Sequence, residues 1–463
     1  MKILFTLFDI EDWGGICADL VYKLKGLQEA GHTVDFCYLS DADRPTRKRG
    51  QTKIVGAYDG PVDGMQVHTR YGFYGVDVVC YGSEERLKAW YDYASKYDFI
   101  IHEIPGPTPN KADSLDSKGF WYRLYQHDTR QIISAHDANF RDQYPHIIYF
   151  ADKIRGISCT NQAGYEGLSQ YPGARAFVGA PHPVYDWKEL PRWKDRKKQA
   201  VSAHVWKMWK HMEFAVGCAK HLKSTKLMTA GDGIIRSYMQ AKPNGKPDRD
   251  AHIRRYEGLW EGATESGGMD YLGMLTPKQL NKLYRNSRVM LDTSWSTRFE
   301  QLGCHFNRSI IEGYNNGCVP ICVSENMNES GFQLQMFKRG KTHFEISKSD
   351  SPKTLAELVD HVANLKEDDA MEIVDRGRKI LTRFFDYKKS SLDYIQLAKG
   401  KPAGVYPELD FGQVTAETVT SAELVVKKID DHHKKAGREV SRPKGLVRKM
   451  DEYSKKFSKK SIF

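Results

Sequence analysis

The chain has 463 residues, of which 40% are hydrophobic and 12% aromatic, and it carries a formal net charge of +11. This length exceeds what one hydrophobic core usually organises, so we expect two domains with accessory segments. The sequence contains no run of the roughly 20 apolar residues that span a bilayer, which argues against stable membrane insertion. The apolar start of the chain is too short for a signal peptide and is followed at once by acidic residues, so we expect a cytoplasmic protein.

The cysteines and the basic residues indicate the redox state of the thiols and the kinds of partner that the protein could bind. The eight cysteines form no CxxC pair and no His/Cys group at zinc spacing, so we expect reduced thiols and no metal site. From Lys427 to the end there are 13 Lys and Arg against 5 Asp and Glu, a local balance of +8. Such a tail suits nucleic acid or an acidic membrane surface, although a solvated charged helix explains it as well. The candidate nucleic-acid contacts are Lys434, Lys435, Arg438, Arg442, Lys444, Arg448 and Lys449.

Apolar segments of strand type alternate with helical patterns through the first half of the chain. The predicted strands are 2–7, 33–39, 97–103, 130–134 and 151–159, and the first predicted helix is 16–30. Near-continuous apolar strands of this kind are typical of a parallel sheet that is covered on both faces. We therefore expect a Rossmann-like domain over residues 1–185.

The same alternation restarts in the second half, after a Pro-rich and charged stretch that fits neither period. That stretch, 186–198, is predicted to be a linker; a second Rossmann-like domain is expected over 199–400 and a basic tail over 401–463. The predicted strands are 200–204, 226–230, one near Tyr271, 289–292 and 319–323, and the predicted helices are 212–222, 277–285, 309–316, 355–365 and 370–384. The expected fold class is α/β, with two doubly wound domains facing each other across a cleft.

Open α/β sheets bind ligands beyond the carboxyl ends of their strands, so the residues that follow strands are the first candidates for a site. Gly14 and Gly15 join the first predicted strand to its helix, where bare backbone and a helix N-terminus can hold a diphosphate. Because the turn lacks a GxGxxG pattern, a purely structural turn explains it equally well.

A His-Asp pair follows the predicted strand 130–134. His136 and Asp137 there could hold a hydroxyl group and accept its proton, which makes them the candidate catalytic pair. A similar pair, His127 and Asp128, lies within a segment, 120–130, whose pattern is that of an amphipathic helix, and we prefer the first pair for that reason.

Two further stretches lie where the second domain would bind a nucleotide. Lys207 and Lys210 follow the predicted strand 200–204 and could neutralise the phosphates of a leaving nucleotide, although a solvated helix start is the common explanation for such lysines. Glu312 lies on the predicted helix 309–316, and one carboxylate can accept hydrogen bonds from both hydroxyls of a ribose.

The order of elements over residues 272–320, with a Glu-bearing helix followed by a Gly-x-x-Pro turn, resembles the nucleotide-binding half of GT-B glycosyltransferases of family 4. Together with the His136-Asp137 pair and the Trp209-Lys210 helix start, it resembles the phage DNA α-glucosyltransferases over most of residues 1–400. The donor-binding residues that this resemblance and the preceding patterns indicate are Gly14, Gly15, Lys207, Lys210, Gly273, Met274, Leu275 and Glu312, and the catalytic residues are His136 and Asp137.

The resemblance implies a retaining transfer of glucose, or another sugar such as arabinose, from a UDP-sugar to a hydroxymethylated pyrimidine of double-stranded phage DNA in the host cytoplasm. It implies no metal ion in the transfer step and no other cofactor. A sliding clamp or another replication protein is left open as a partner. The alternatives are a bacterial-type enzyme acting on a lipid-linked or cell-surface glycan, and a binding module that has lost catalysis.

The sequence departs from the family pattern at two places. The arginine that usually precedes the lysine matching Lys210 has no counterpart, and Lys207 is the expected substitute. The first glutamate of the usual Glu-x7-Glu pattern falls at Cys304, which alters the contacts expected for the sugar hydroxyls and leaves the identity of the sugar open.

Overall fold

The computed structural model divides the chain into two compact units, one formed by Met1–Pro183 with Tyr387–Phe463 and the other by Val184–Asp386. All structural statements below concern the residues that the structure describes. These are 1–8, 15–39, 66–67, 88, 91–103, 127–135, 154–159, 176–178, 189–204, 210–231, 262–273, 275–295, 307–325 and 337–401.

The first unit is built on a seven-stranded sheet whose described strand pairs are all parallel. Its strands are β1 (Lys2–Phe8), β2 (Thr33–Leu39), β3 (Gln66–Val67), β4 (Phe99–Glu103), β5 (Arg130–Ala135), β6 (Ile154–Cys159) and β7 (Ala176–Val178), in the order β3-β2-β1-β4-β5-β6-β7. Helix α1 (Gly15–Glu29) connects β1 to β2. Every residue of β4 is buried, as expected for a strand covered on both faces.

The second unit repeats the same winding with a six-stranded parallel sheet. Its strands are β8 (Lys197–Ala203), β9 (Lys226–Ala230), β10 (Met269–Tyr271), β11 (Ser287–Asp292), β12 (Val319–Val323) and β13 (Phe344–Ile346), in the order β10-β9-β8-β11-β12-β13. Its helices are α2 (Met212–Ala219), α3 (Pro277–Arg285), α4 (Arg308–Asn315), α5 (Pro352–Ala363) and α6 (Glu367–Phe384). The two parallel sheets confirm the predicted α/β class with two doubly wound units.

Helix α3 shows why some boundaries were readable from the sequence. The Thr276 hydroxyl accepts a hydrogen bond from the Gln279 backbone N–H at 3.3 Å, and the Gln279 side chain accepts one from the Thr276 backbone N–H at 2.9 Å. Pro277 occupies the first turn, where no backbone donor is needed. Because this start is encoded locally, the predicted helix 277–285 has the observed bounds.

The predicted linker ends too late. Residues Trp193–Asp195 form a 3-10 helix, and Trp193 is buried in the hydrophobic core of the second unit. Its indole N–H donates to the Leu365 carbonyl oxygen at 3.0 Å. The prolines and charges of this stretch concealed one large apolar side chain that packs into the core, and β8 begins at Lys197, inside the segment predicted as linker.

The last described helix also differs from the prediction. Helix α7 (Tyr387–Ala398) packs against α1, β5 and β6 of the first unit, whereas residues up to 400 were predicted to belong to the second domain. A glycine permits the close approach, because a Cβ atom on Gly26 would lie only 2.8 Å from the Tyr387 carbonyl oxygen. An amphipathic pattern predicts a helix, but it does not say which sheet the helix covers.

A buried ion pair connects α7 to the interior of the first unit. The Lys23 amine lies 2.7 Å from Glu103 Oε1 and also donates to Ser134 Oγ at 3.2 Å. The Tyr394 hydroxyl lies 3.2 Å from the same Ser134 oxygen. Burial by itself would lower the pKa of Lys23, but the charge of Glu103 raises it above the ordinary value, so the pair is ionised at neutral pH. Breaking such a pair by removing one partner leaves a buried charge uncompensated.

A buried histidine, His102, directly precedes Glu103 on β4. His102 Nδ1 lies 2.7 Å from the Thr6 hydroxyl, and Nε2 lies 2.9 Å from Gln131 Oε1. Burial lowers the pKa of His102 from 6.5 to about 3, against the opposing effect of the Gln131 hydrogen bond. The imidazole is therefore neutral in the folded protein over most of the acid range.

We predict that His102→Gln makes the stability of the protein less dependent on pH. Between pH 6.5 and about 3 the unfolded chain binds a proton at His102 and the folded chain does not, so the free energy of unfolding falls as the pH falls through this window. The variant lacks that proton and should show a shallower decline. Urea unfolding at a series of pH values measures the slope, and the difference between the two proteins should be constant above pH 7. Parallel curves down to pH 4 would contradict the prediction.

Candidate functional site

The candidate site of the second unit lies where β8 and β11 are neighbours. The chain order of the strands reverses between these two, so the helices that follow them leave toward opposite sides and open a crevice beyond their carboxyl ends. The residues that come directly after the two strands are His204 and Thr293. Ligand-binding groups are expected at this edge of the sheet.

The central group of the site is the carboxylate of Asp292, the last residue of β11. It is buried and accepts hydrogen bonds from the Ser294 backbone N–H at 2.9 Å, Asn307 Nδ2 at 2.7 Å and the Ser309 hydroxyl at 3.1 Å. Asn307 and Ser309 flank the start of α4, so this one carboxylate fixes the N-terminus of α4 against the end of β11.

The electrostatics of the site keep Asp292 ionised. Burial would raise its pKa, but the neighbouring His204, whose imidazole is charged only in the acid range, the charge of Lys210 and the hydrogen bonds from Ser294 hold it below its ordinary value. His204 Nε2 lies 3.8 Å from Asp292 Oδ1. Because burial lowers the pKa of His204, its imidazole is neutral at pH 7, and Lys210 is then the cation that balances Asp292.

Lys210, a predicted donor-binding residue, lies shortly before α2 in the chain, and its side chain reaches the N-terminus of α4. Its amine donates to Asn307 Oδ1 at 2.8 Å, and its carbonyl oxygen accepts from the Thr293 hydroxyl at 3.0 Å. The Asn307 side chain, which bonds to Lys210 and Asp292, makes no capping bond to its own helix. The amine of Lys210 therefore lies beside the N-terminus of α4, and the Asn307 side chain does not cap that helix. A cation next to such a helix N-terminus is an arrangement suited to an anion.

Glu312, the predicted ribose-binding residue, lies one turn into α4. Its Oε1 accepts from Arg308 Nε at 3.0 Å, and the Glu312 side chain is partly exposed whereas that of Arg308 is buried. The arginine holds the carboxylate in one orientation on the exposed side of the helix. A partly exposed, oriented carboxylate can bind two neighbouring hydroxyl groups.

The predicted base-contacting loop follows β10. Gly273 has a φ of +64°, and its carbonyl oxygen accepts from the Gly231 backbone N–H at 2.9 Å, which joins the ends of β9 and β10. The Tyr271 hydroxyl donates to the Gly231 carbonyl oxygen at 2.8 Å. Leu275, two residues after Gly273, is half-buried. This loop therefore lies at the same edge of the sheet as the other candidates, on the β9 and β10 side.

Several predicted site residues lie outside the described residues. They are Gly14, His136, Asp137, Lys207, Met274 and the seven basic residues of the tail, Lys434, Lys435, Arg438, Arg442, Lys444, Arg448 and Lys449. Gly15 is described as the first residue of α1. Residues 127–129 form bends before β5, so the predicted helix 120–130 does not extend to its expected end. His127 is buried there.

The structure adds candidate site residues that the sequence analysis did not single out, chiefly His204, Asp292, Asn307 and Arg308. Asp292 and His204 come at the ends of predicted strands, which was the available signal. Asn307 gave no signal, because its contact with Lys210 joins distant parts of the sequence. Arg308 lies four residues before Glu312, a spacing at which two side chains of one helix meet, and this was the available signal for it.

Within the described ranges, no group of three or more His, Cys, Asp or Glu residues could hold a metal ion. Among the helices that the structure describes, none is long and apolar enough to cross a membrane.

Comparison with known proteins identifies the fold. No protein-family model matches the sequence, and no curated protein sequence matches it. Three similar solved structures are a TarM variant from S. aureus in complex with fondaparinux, alpha-GlcNAc-glycerol and UDP (TM-score 0.60, 12% identity), HepE from Anabaena in complex with UDP and glucose (0.57, 13%), and sucrose-phosphate synthase from Thermosynechococcus elongatus (0.52, 14%).

Each of these three similarities covers 86% of this chain, and 98% or more of the other chain. The similarity therefore extends over both α/β units rather than over one of them. The chain has the two-sheet GT-B fold.

Proposed function

We propose that the chain is a glycosyltransferase that binds a UDP-sugar at the carboxyl edge of the second sheet. The observation that carries this proposal is the position of the Lys210 amine, 2.8 Å from Asn307 Oδ1 at the N-terminus of α4. A fixed cation and the positive end of a helix dipole together stabilise a diphosphate, and more so as the sugar leaves and negative charge develops on it. The GT-B fold and the HepE complex with UDP and glucose support the choice of ligand.

In this proposal most of the groups that bind the donor belong to the second unit. Lys210 and the α4 N-terminus bind the diphosphate, with Lys207 and the Gly14-Gly15 turn as further contacts. Glu312, oriented by Arg308, binds the ribose hydroxyls, and the backbone of Gly273, Met274 and Leu275 contacts the base. Lys210, Lys207 and the N-terminus of α4 would supply positive charge to the leaving diphosphate, without a metal ion in the transfer step.

The transfer itself is proposed to proceed with retention of configuration. The acceptor oxygen bonds to the anomeric carbon on the face from which UDP departs, as the bond from that carbon to the phosphate oxygen breaks. The acceptor proton passes to Asp137 or to the departing phosphate, and His136 holds the sugar. UDP and the glycosylated acceptor are the products.

The proposed acceptor is a hydroxymethylated pyrimidine base in double-stranded DNA of a phage, modified in the cytoplasm of the host cell. Two features support it: the resemblance to phage DNA α-glucosyltransferases, and a C-terminal segment that carries +8 of the net charge of +11. Basic side chains bind DNA phosphates irrespective of sequence. The target base would leave the helical stack to reach the reacting sugar, as in other enzymes that modify a base within a duplex.

A second candidate acceptor is a glycan on a lipid carrier or a cell surface. The structure of the TarM variant contains alpha-GlcNAc-glycerol, in which the sugar is joined to a polyol and not to a nucleic-acid base. In this case the basic segment would bind anionic lipid instead of DNA.

Incubation with a panel of UDP-sugars and hydroxymethylated DNA tests the proposal directly. After digestion to nucleosides, mass spectrometry should show a hydroxymethylpyrimidine nucleoside heavier by one sugar residue with one of the donors. Transfer to a glycolipid acceptor alone would support the second candidate. Absence of both transfer and donor hydrolysis across the panel would contradict the assignment as a glycosyltransferase.

We predict that Lys210→Ala and Glu312→Gln each weaken UDP binding at least about tenfold. The first removes the cation beside α4, and the second replaces charge-assisted hydrogen bonds, worth about 1.5–3 kcal/mol each, with neutral ones. Isothermal titration calorimetry with UDP measures both. Lys220→Ala and Glu357→Gln, which change exposed residues of the same unit, are the matched controls and should bind UDP as the unchanged protein does. Unaltered affinity of the Lys210 and Glu312 variants would refute the donor site.

We predict that His136→Ala and Asp137→Asn lower kcat far more than they weaken UDP binding, because both residues are assigned to the reacting sugar and not to the nucleotide. His127→Ala should retain turnover per folded molecule. The nucleoside mass assay gives the rates and calorimetry gives the affinity for UDP. An inactive but folded His127 variant beside an active His136 variant would reverse the choice between the two pairs.

Deletion of the chain after Lys427 tests the DNA assignment, because this segment contains none of the proposed donor-binding residues. We predict weaker DNA binding and a flatter dependence of log K on log salt, by about 0.9 for each DNA phosphate that the segment neutralises. UDP affinity should not change. Fluorescence anisotropy with a DNA duplex over a salt series measures the slope. An identical slope would exclude the segment as a DNA-binding element, and loss of binding to anionic vesicles alone would favour the lipid candidate.

A further inference from the structure

The residue that follows Lys210 has an unusual backbone conformation. His211 has a φ of +45°, and it is the single non-glycine residue with a positive φ in the part of the chain that the structure describes. A side chain in this left-handed region is strained, and such strain persists only where surrounding contacts impose it. His211 is the N-cap of α2, and its side chain makes no capping bond there. Helix capping therefore does not account for the conformation.

The contacts that impose it come from Trp295, which lies three residues after β11, and from the first turn of α2. The imidazole of His211 stacks on the indole of Trp295 with ring centroids 3.3 Å apart and planes inclined by 5°. His211 Nδ1 lies 3.1 Å from Glu213 Oε1, and Phe214 packs its ring against the edge of Trp295 at 6.1 Å. The ring is thus held on one face by an aromatic side chain and at one edge by a carboxylate.

The segment that follows β11 also holds the backbone of Lys210. Its carbonyl oxygen accepts from the hydroxyl of Thr293, two residues before Trp295. The peptide between residues 210 and 211 is therefore fixed on one side by Thr293 and on the other by Trp295. Because the Lys210 side chain starts from this fixed peptide, its amine reaches Asn307 Oδ1 in a defined direction.

His211 does not act on a ligand itself. Its Nε2 is buried and has no hydrogen-bond partner within the described ranges. An atom that solvent does not reach in this arrangement is not available to a diphosphate either. A role for the residue must act through its neighbours.

We propose that His211 and Trp295 form a clamp that positions Lys210 for the donor diphosphate. The inference rests on the proposed donor site, and it extends that site to two residues that would not touch the donor. The stack compensates the strain of the left-handed turn, and the turn directs the Lys210 amine to the N-terminus of α4. Loss of the stack should free the lysine without removing it.

A double-mutant cycle tests whether the clamp acts through Lys210. His211→Ala and Trp295→Leu are each made in the unchanged protein and in the Lys210→Ala background, and UDP affinity is measured by calorimetry. We expect each to weaken UDP binding at least about fivefold in the unchanged protein and by less than about twofold when Lys210 is already absent. Phe344→Leu, which removes an aromatic ring packed against the core of the same unit from β13, should have no such effect.

A second measurement does not depend on UDP. Acylation of lysine amines by an N-hydroxysuccinimide ester, followed by mass spectrometry, reports how firmly each amine is held. Lys210 should react at least about threefold faster in both clamp variants, relative to the exposed Lys220 in the same molecules, because its amine is released from Asn307. His211→Asn keeps a residue that tolerates the left-handed region but lacks the ring, and it should behave like His211→Ala; it also serves if the alanine variant fails to fold.

Equal weakening of UDP binding in both Lys210 backgrounds would overturn the proposal, as would unchanged affinity in the single variants. Unchanged reactivity of Lys210 in folded variants would overturn it as well. If the unchanged protein does not bind UDP, the donor site is wrong, and the acylation rates still decide whether the clamp holds Lys210. Thermal unfolding identifies variants that are folded at the temperature of the assay.

Discussion

The buried carboxylate of Asp292 is the constraint on which the second unit depends. A negative charge at the end of a central strand must be compensated by hydrogen-bond donors and by a cation, or the fold carries a large cost. The donors come from Ser294, Asn307 and Ser309, and the cation is Lys210. Satisfying this one group therefore brings together the ends of β8 and β11 and the start of α4.

The need to compensate Asp292 also explains why a lysine amine and a helix N-terminus lie side by side in the candidate site. Asn307 is a residue type that usually caps its own helix, but its amide is turned away to join Asp292 to Lys210. The helix N-terminus is consequently not closed by its N-cap side chain, and a lysine amine stands beside it. One hydrogen-bonded chain therefore both stabilises the fold and forms the proposed anion site. An isolated lysine on the surface would provide neither the fixed position nor the neighbouring dipole.

The sequence was sufficient for elements whose signals are local. The apolar runs of β1, β2 and β12 and the capping box of α3 lie in a few consecutive residues, and their positions were predicted closely. Strands β3, β7 and β13 are only two or three residues long and were not predicted. Trp193 and α7 were misassigned because their partners lie far away in the chain.

The residues of the candidate site also differ in whether a local sequence signal predicts them. Lys210 follows from its position after a strand and from a family resemblance, and Glu312 follows from that resemblance, so the sequence indicated both. The positive φ of His211 and its stack on Trp295 could not be predicted, because residues other than glycine seldom occupy a left-handed position and the two rings belong to distant parts of the sequence. Contacts of this kind require the folded chain.

The return of α7 to the first unit has a consequence for biosynthesis. Ser134 and Tyr394 are 260 residues apart in the chain, and a ribosome that adds about 5–20 residues per second takes roughly 13–52 s to make that stretch. During this time the nascent first sheet lacks the helix that packs on β5 and β6, and the Lys23-Glu103 pair lacks its tyrosine. The second unit is continuous in sequence and is synthesised in full within the same interval. The first unit to be translated is therefore the last to be completed.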